Sequence, residues 1–259
     1  MTPSRRIGFI STRFAGTDGV SLETAKWAAV LERMGHECFY FAGVCDRPKE
    51  KSYIVEEAFY RHPVIDAMNE VVYSGTWGHM HKGRRTHPEV EELHKDFFSV
   101  YIRPAHITRQ VEELKALFKE HLYKFAYRFR LEALITENAL TIPINLPLGL
   151  ALTEFIAETG YPVIAHHHDF YWERQRFINN SVHDYLAAAF PPDQPSIRHV
   201  VINSVQAKAL AARIGVAAMV VPNVMDFDSP PPAPDDYVLF LSYECVPDPL
   251  CCRDITARG

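Results

Sequence analysis

Within its first 42 residues the chain switches from strand-like to helical periodicity and back, and this restricts the fold more than any other feature. Arg6-Ile7-Gly8-Phe9-Ile10-Ser11 is a short apolar run closed by polar residues, the pattern of a buried parallel strand. The loop Gly16-Thr17-Asp18-Gly19 leads into 22–34, where Trp27, Val30, Leu31 and Met34 recur at helical spacing. Gly35 stands where a helix stops. Residues 36–42, centred on Cys38-Phe39-Tyr40-Phe41, are strand-like again. A strand, a helix and a second strand in this order argue for a parallel α/β sheet.

The theme recurs. Val111, Leu114, Phe118, Leu122, Phe125 and Phe129 predict a long amphipathic helix from Ala105. A strand over 131–136 ends in Glu137-Asn138, a helix over 148–158 is followed by Gly160, and a strand over 162–165 ends in His166-His167-His168-Asp169. A strand over 198–203 precedes a helix to Arg213 that Ser204 can cap, and Met219-Val220-Val221 is one more strand. Residues 44–104 are mixed in signal and are expected to be helical excursions. The expectation is a Rossmann-like parallel sheet flanked by helices over 1–228, with polar residues gathered at the carboxyl ends of the strands. Pro230-Pro231-Pro232-Ala233-Pro234 makes 229–236 a stiff linker. Residues 237–259 open with one apolar strand and continue as an irregular tail holding Cys245, Cys251 and Cys252.

A net charge of −5 gives the chain no overall basic field, so nucleic acid is not expected as a partner. The apolar stretch behind Arg5-Arg6 is shorter than the ~7 residues a secretory signal needs. The run over 139–157 is interrupted by Pro143, Asn145, Pro147 and Glu154, so no integral membrane segment and a cytoplasmic location are expected. Five cysteines are too few for a disulfide scaffold.

Four groups of residues could carry chemistry. The loop with Gly16, Asp18, Gly19 and Val20 precedes a helix N-terminus, where free N–H groups favour a phosphate or a sugar hydroxyl; equally, it can be only a tight turn. It matches neither the dinucleotide nor the P-loop fingerprint. The strand end His166-His167-His168-Asp169-Phe170-Tyr171-Trp172-Glu173-Arg174 sets His166 and His168 on one face and His167 on the other. Its aromatic and charged residues could line a pocket, its two like-facing imidazoles could hold zinc, or it could be a solvated turn. Glu137, Asn138 and Asn145 offer a carboxylate and amides to sugar hydroxyls, or simply cap a turn. Lys82-Gly83-Arg84-Arg85, beside His79, His81 and His87, is a small basic patch suited to a phosphorylated acceptor or to solvent.

Taken in order, Ile7-Gly8-Phe9-Ile10-Ser11, Gly16-Thr17-Asp18-Gly19-Val20-Ser21, the strand end from His166 to Arg174 and Val221-Pro222-Asn223-Val224-Met225-Asp226 resemble family 4 of the retaining glycosyltransferases. Over 5–228 the resemblance implies the N-terminal, acceptor-side half of a GT-B fold. It implies that the loop of Gly16, Asp18, Gly19 and Val20 lies beside the donor phosphates and the acceptor. His168 and Asp169 would be catalytic, orienting the transferred sugar and the acceptor. Glu137, Asn138, Tyr171, Trp172 and Arg174 would bind acceptor, and Pro222 and Asn223 would form the hinge. The implied co-substrate is a nucleotide-diphosphate sugar, with no cofactor and no metal.

The family's C-terminal domain carries two glutamates separated by seven intervening residues, whereas Glu244 is the lone glutamate after Glu173. The tail therefore reads as a reading-frame change with an early stop. A missing C-terminal domain and a weakly active or inactive chain are expected. The alternatives are a non-catalytic single-domain ligand-binding module and a metal-dependent hydrolase at the histidine triplet.

Overall fold

The structure, a computed structural model, describes residues 3–73 and 102–224. The basic patch at 82–85 with its flanking histidines, the linker and the tail lie outside the described residues. All described residues but Val224 belong to one compact unit.

Its centre is a seven-stranded sheet in which every neighbouring pair is parallel. In chain order its strands are β1 (Arg6–Ile10), β3 (Glu37–Ala42), β5 (Ser52–Ile54), β6 (Ala133–Glu137), β7 (Val163–His167), β8 (Ile197–Val201) and β9 (Ala218–Val220). Across the sheet they run β5-β3-β1-β6-β7-β8-β9, so the winding direction reverses between β1 and β6. Two-residue strands β2 (Arg13–Phe14) and β4 (Val44–Cys45) pair beside it. The α/β, Rossmann-like expectation is met.

The helices are α1 (Gly19–Arg33), α2 (Pro63–Val72), α3 (Ala105–Phe129), α4 (Leu146–Thr159), α5 (His183–Ala189) and α6 (Ser204–Ile214). In α3 the predicted stripe is the buried one: Val111, Phe118, Leu122, Phe125 and Phe129 are all at most 5% exposed. The four from Phe118 to Phe129 pack with Phe39, Phe41, Leu134, Leu152 and Phe155 into the main core, while Val111 joins a second cluster with Ile107, Leu146 and Leu150. Lys115 and Lys119 of α3 pair with Glu154 and Glu158 of α4 at 2.6–3.0 Å, and Tyr123 donates to Glu158. These contacts tie α3 and α4 together at their solvent edge.

Three local expectations are corrected. Residues 44–73 are not purely helical: β4 and β5 precede α2. β5 has only three residues at the sheet edge, too few to display a period of two. Helix α4 begins at Leu146 with Pro147 in its first turn, because Asn145 caps it by accepting from the Leu148 N–H. Asn203, not Ser204, caps α6, accepting from the Gln206 N–H at 2.9 Å from an extended backbone. An amide oxygen performs that capping as well as a hydroxyl.

Candidate functional site

In open α/β sheets the helices diverge where the winding reverses, leaving a crevice at the carboxyl ends of the two strands concerned. Here that place lies between β1 and β6, and it holds a partly open pocket of about 80 Å³. Ser11, Thr12 and Arg13 line it beyond β1, Asp18 and Val20 at the start of α1, Glu137, Asn138 and Ala139 at the end of β6, and Tyr60 from the loop before α2. Four residues expected at the site, Asp18, Val20, Glu137 and Asn138, thus meet in one cavity. Gly16 and Gly19 are near it in sequence but are not among its lining residues.

The first loop is more committed than its glycines imply. Asp18 is the N-cap of α1: its Oδ1 accepts from the Ser21 N–H at 3.2 Å and its Oδ2 from the Ser21 hydroxyl at 2.6 Å. Arg13 Nη2 lies 2.9 Å from the same Oδ2. A carboxylate therefore already occupies the positive end of this helix, where a phosphate would otherwise sit. The Gly16 N–H donates to Asp46 Oδ2 at 2.9 Å, and the φ of +81° at Gly16 is one that a side chain would strain.

The histidine triplet divides as strand alternation requires. His167 lies on one face, fully buried, with Nδ1 against the Thr141 hydroxyl and Nε2 2.9 Å from Nδ1 of His199. Burial holds both imidazoles below their ordinary range, His199 at about 4. Neither is a solvated turn residue nor a ligand group; both are core. His166 lies on the opposite face, where its ring stacks on Trp27 of α1 at 4.5 Å. Sequence reasoning missed Trp27 as its partner, and the helical stripe expected on α1 is not its buried face: Val30 and Met34 are exposed, Trp27 and Leu31 are half-buried, and the buried residues of α1 are Ser21, Glu23, Thr24 and Ala28.

Glu137 joins β6 to β7. It is fully buried, and its Oε2 lies 3.0 Å from both His166 Nδ1 and His168 Nε2. Burial raises its carboxyl, but the two imidazole hydrogen bonds outweigh this and hold it below the usual carboxylate range. His168 is pinned through its backbone too. Its N–H donates to Asn138 Oδ1 at 2.8 Å, and Gln206 donates to its carbonyl at 2.9 Å. Asn138 itself has a φ of +57°, in the left-handed region that Asn tolerates better than most residues, and its amide also reaches Asp169 at 3.0 Å.

Asp169 and Arg174 form an ion pair. Trp172 stacks on Phe170 at 4.4 Å with the Arg213 guanidinium over its face at 5.0 Å, and Tyr171 packs at the edge of a second apolar cluster. Of these four residues Trp172 packs against α6, and none is among the residues lining the pocket. Pro222 and Asn223 are exposed, and Asn223 Nδ2 comes to 3.5 Å from His168 Nδ1. Two lining residues that the sequence did not single out are Arg13 and Tyr60. Their guanidinium and ring approach to 5.7 Å across the mouth of the pocket, from segments 47 residues apart in sequence.

Among the described residues, Glu137, His166 and His168 are a group whose ligand atoms lie close enough to share a metal ion. The surrounding hydrogen bonds do not fit that use. A metal-bound imidazole gives its other N–H to an acceptor, and His166 Nε2 is buried with no partner among the described residues. Metal at Nδ1 would strand an N–H there, at a cost of about 1–3 kcal/mol.

Fold and pocket together define the class: a doubly wound α/β domain whose crevice lies at its topological switch point and is lined by Val20, Ala139, Ile142 and Ile144 together with hydroxyl, carboxylate, amide and guanidinium groups. No protein-family model matches the sequence. The chain is similar to two bacterial proteins, both named mannosylglucosylglycerate synthase: one from Thermotoga maritima, 32% identical over 228 residues, and one from Petrotoga mobilis, 28% identical over 236 residues. The matches cover 87% and 89% of this chain but 46% and 47% of the relatives, so the chain spans about half their length.

Proposed function

We propose that this chain supplies the acceptor-binding side of a glycosyltransferase that moves a sugar from a nucleotide-diphosphate donor to an acceptor hydroxyl, with retention at the anomeric carbon. The observation that carries this reading is the switch-point pocket, which falls within a chain matched over nearly nine-tenths of its length by two sugar-conjugate synthases. By their names, the donor sugar is mannose and the acceptor glucosylglycerate. That acceptor needs two kinds of contact, and the pocket has both. Hydroxyl recognition falls to Asp18, Asn138, Ser11 and Thr12. The glycerate carboxylate falls to Arg13, the lone cation among the lining residues, which has donors left after its bond to Asp18. His168 and Asp169 are not among the lining residues; each is hydrogen-bonded to the lining residue Asn138, and they orient the reacting groups from beside the pocket.

Retention in this reading needs no general base from this half. The leaving diphosphate takes the acceptor's proton on the same face, so positioning and charge stabilisation carry the rate. With Asp18 occupying the α1 N-terminus, the donor's diphosphate contacts belong to the part of the relatives that this chain does not span. Titrating glucosylglycerate into the 259-residue chain and following amide shifts checks the reading. Shifts at Ser11, Asp18 and Asn138 are expected, and saturation without any shift there overturns it. A non-catalytic ligand-binding module would show the same shifts, and sugar transfer after addition of the relatives' C-terminal half separates the two.

A further inference from the structure

Glu137 faces two imidazoles through one oxygen, and this fixes more than the position of their rings. The distances to His166 Nδ1 and His168 Nε2 are both 3.0 Å, and all three groups are buried or nearly so, with the His168 side chain 11% exposed. An ionised carboxylate has no hydrogen to give, so both ring nitrogens facing it must carry one. A neutral His168 with its hydrogen on Nε2 has a bare lone pair on Nδ1. That nitrogen is turned to the exposed side, where Asn223 comes to 3.5 Å, too long and too open a contact to occupy it fully.

We propose that Glu137 is a positioning residue that holds His168 as its Nε2–H tautomer, so that Nδ1 is presented as a hydrogen-bond acceptor to a sugar hydroxyl. Glu137 then touches no acceptor, although it was expected to bind one. Its second oxygen, Oε1, is buried without a partner among the described residues. The alternative tautomer would set a lone pair on His168 Nε2 against the carboxylate and an N–H on Nδ1 against the Asn223 amide. The geometry therefore disfavours it on both sides. The orientation is secured from the backbone as well, by Asn138 at the His168 N–H and Gln206 at its carbonyl. Ring rotation and proton position are thus set by different residues. The use of Nδ1 toward a sugar hydroxyl rests on the transferase reading; the tautomer does not.

Two-bond proton–nitrogen correlation spectra of the full chain labelled in its histidine rings read each tautomer directly. The expected result is Nε2–H at His168 in the wild type and in Glu137→Gln, whose amide oxygen still accepts from the ring. In Glu137→Met, which has no acceptor, the ring redistributes toward Nδ1–H. Glucosylglycerate affinity should fall about tenfold in Glu137→Met, the size of one lost hydrogen bond, and stay within about threefold in Glu137→Gln. Nδ1–H in the wild type, an unchanged ring in Glu137→Met, loss of Nε2–H in Glu137→Gln, or stoichiometric zinc in the purified chain would each overturn the assignment. Should Glu137→Met not fold, the wild type and Glu137→Gln still decide it. A wild type that shows Nε2–H yet binds no glucosylglycerate overturns the transferase reading and leaves the tautomer standing.

Discussion

Arg13 shows how a single side chain can matter while leaving little trace in a sequence. It follows β1 by three residues, and nothing in its neighbours distinguishes it from a solvated arginine. Its use comes from the two-residue ladder with β4 and from Tyr60, both contributed by distant segments. A charged hydrogen bond to a carboxylate is worth roughly 1.5–3 kcal/mol. Under the proposed function, Arg13→Ala should therefore weaken glucosylglycerate binding by about one to two orders of magnitude, measured by calorimetric titration. Arg13→Lys should recover part of it, since an ammonium keeps the charge but not the planar fork. The histidine triplet was the opposite case. Strand alternation alone assigned His166 and His168 to one face and His167 to the other, and the hydrogen bonds follow that division. Sequence could not reveal that a carboxylate from the adjacent strand joins the first two, because the register of β6 against β7 pairs Glu137 with His166 only in three dimensions.

At the scale of elements, periodicity identified most of the strands and helices, including the three-residue β9, but not α2 or the short strands near β1. β2, β4 and β5 have two or three residues each, less than two periods of any pattern. Capping was legible in kind but not in position, since Asn203 and Ser204 are both competent caps and backbone geometry chose between them. The packing of α4 was not legible at all. Gly149 lies in that helix where a methyl group would come within 2.2 Å of the Phe190 ring and 3.1 Å of the Ala139 carbonyl. Alanine is the better helix former, yet Gly149→Ala should destabilise the fold by about 1–3 kcal/mol in urea unfolding. Gly43 is stricter. A methyl group there would lie 2.0 Å from the Phe59 backbone nitrogen, so Gly43→Ala must displace main chain and should cost more than Gly149→Ala by the same measurement.

The whole molecule carries its acid sensitivity in the paired imidazoles of His167 and His199. Both resist protonation in the folded state, whereas the unfolded chain titrates near the ordinary value of 6.5. As pH falls below 6.5 the unfolded state gains protons that the folded state refuses, so stability is full above that value and drains away toward pH 4. His199 alone accounts for on the order of 3 kcal/mol over this window. Glu137 acts in the same direction lower down, because its stabilisation is lost as pH falls through its depressed folded value. Urea midpoints measured from pH 7 to 4 should fall steeply for the wild type, and His199→Gln should flatten the slope. Length acts at this scale as well. The chain spans about half the length of its relatives; under the proposed function, glucosylglycerate should bind to the 259 residues alone, and a radiolabel assay should detect transfer from a nucleotide-diphosphate mannose only once the relatives' C-terminal half is added. The two outermost strands of the sheet, β5 and β9, are only three residues each. Among the described residues, each edge leaves roughly 10 Å of unpaired backbone, too short a template for an intruding strand to gain much by pairing. Apolar side chains such as Ile54 and Met219 can therefore stand in solvent there without inviting the sheet to grow from one molecule into the next.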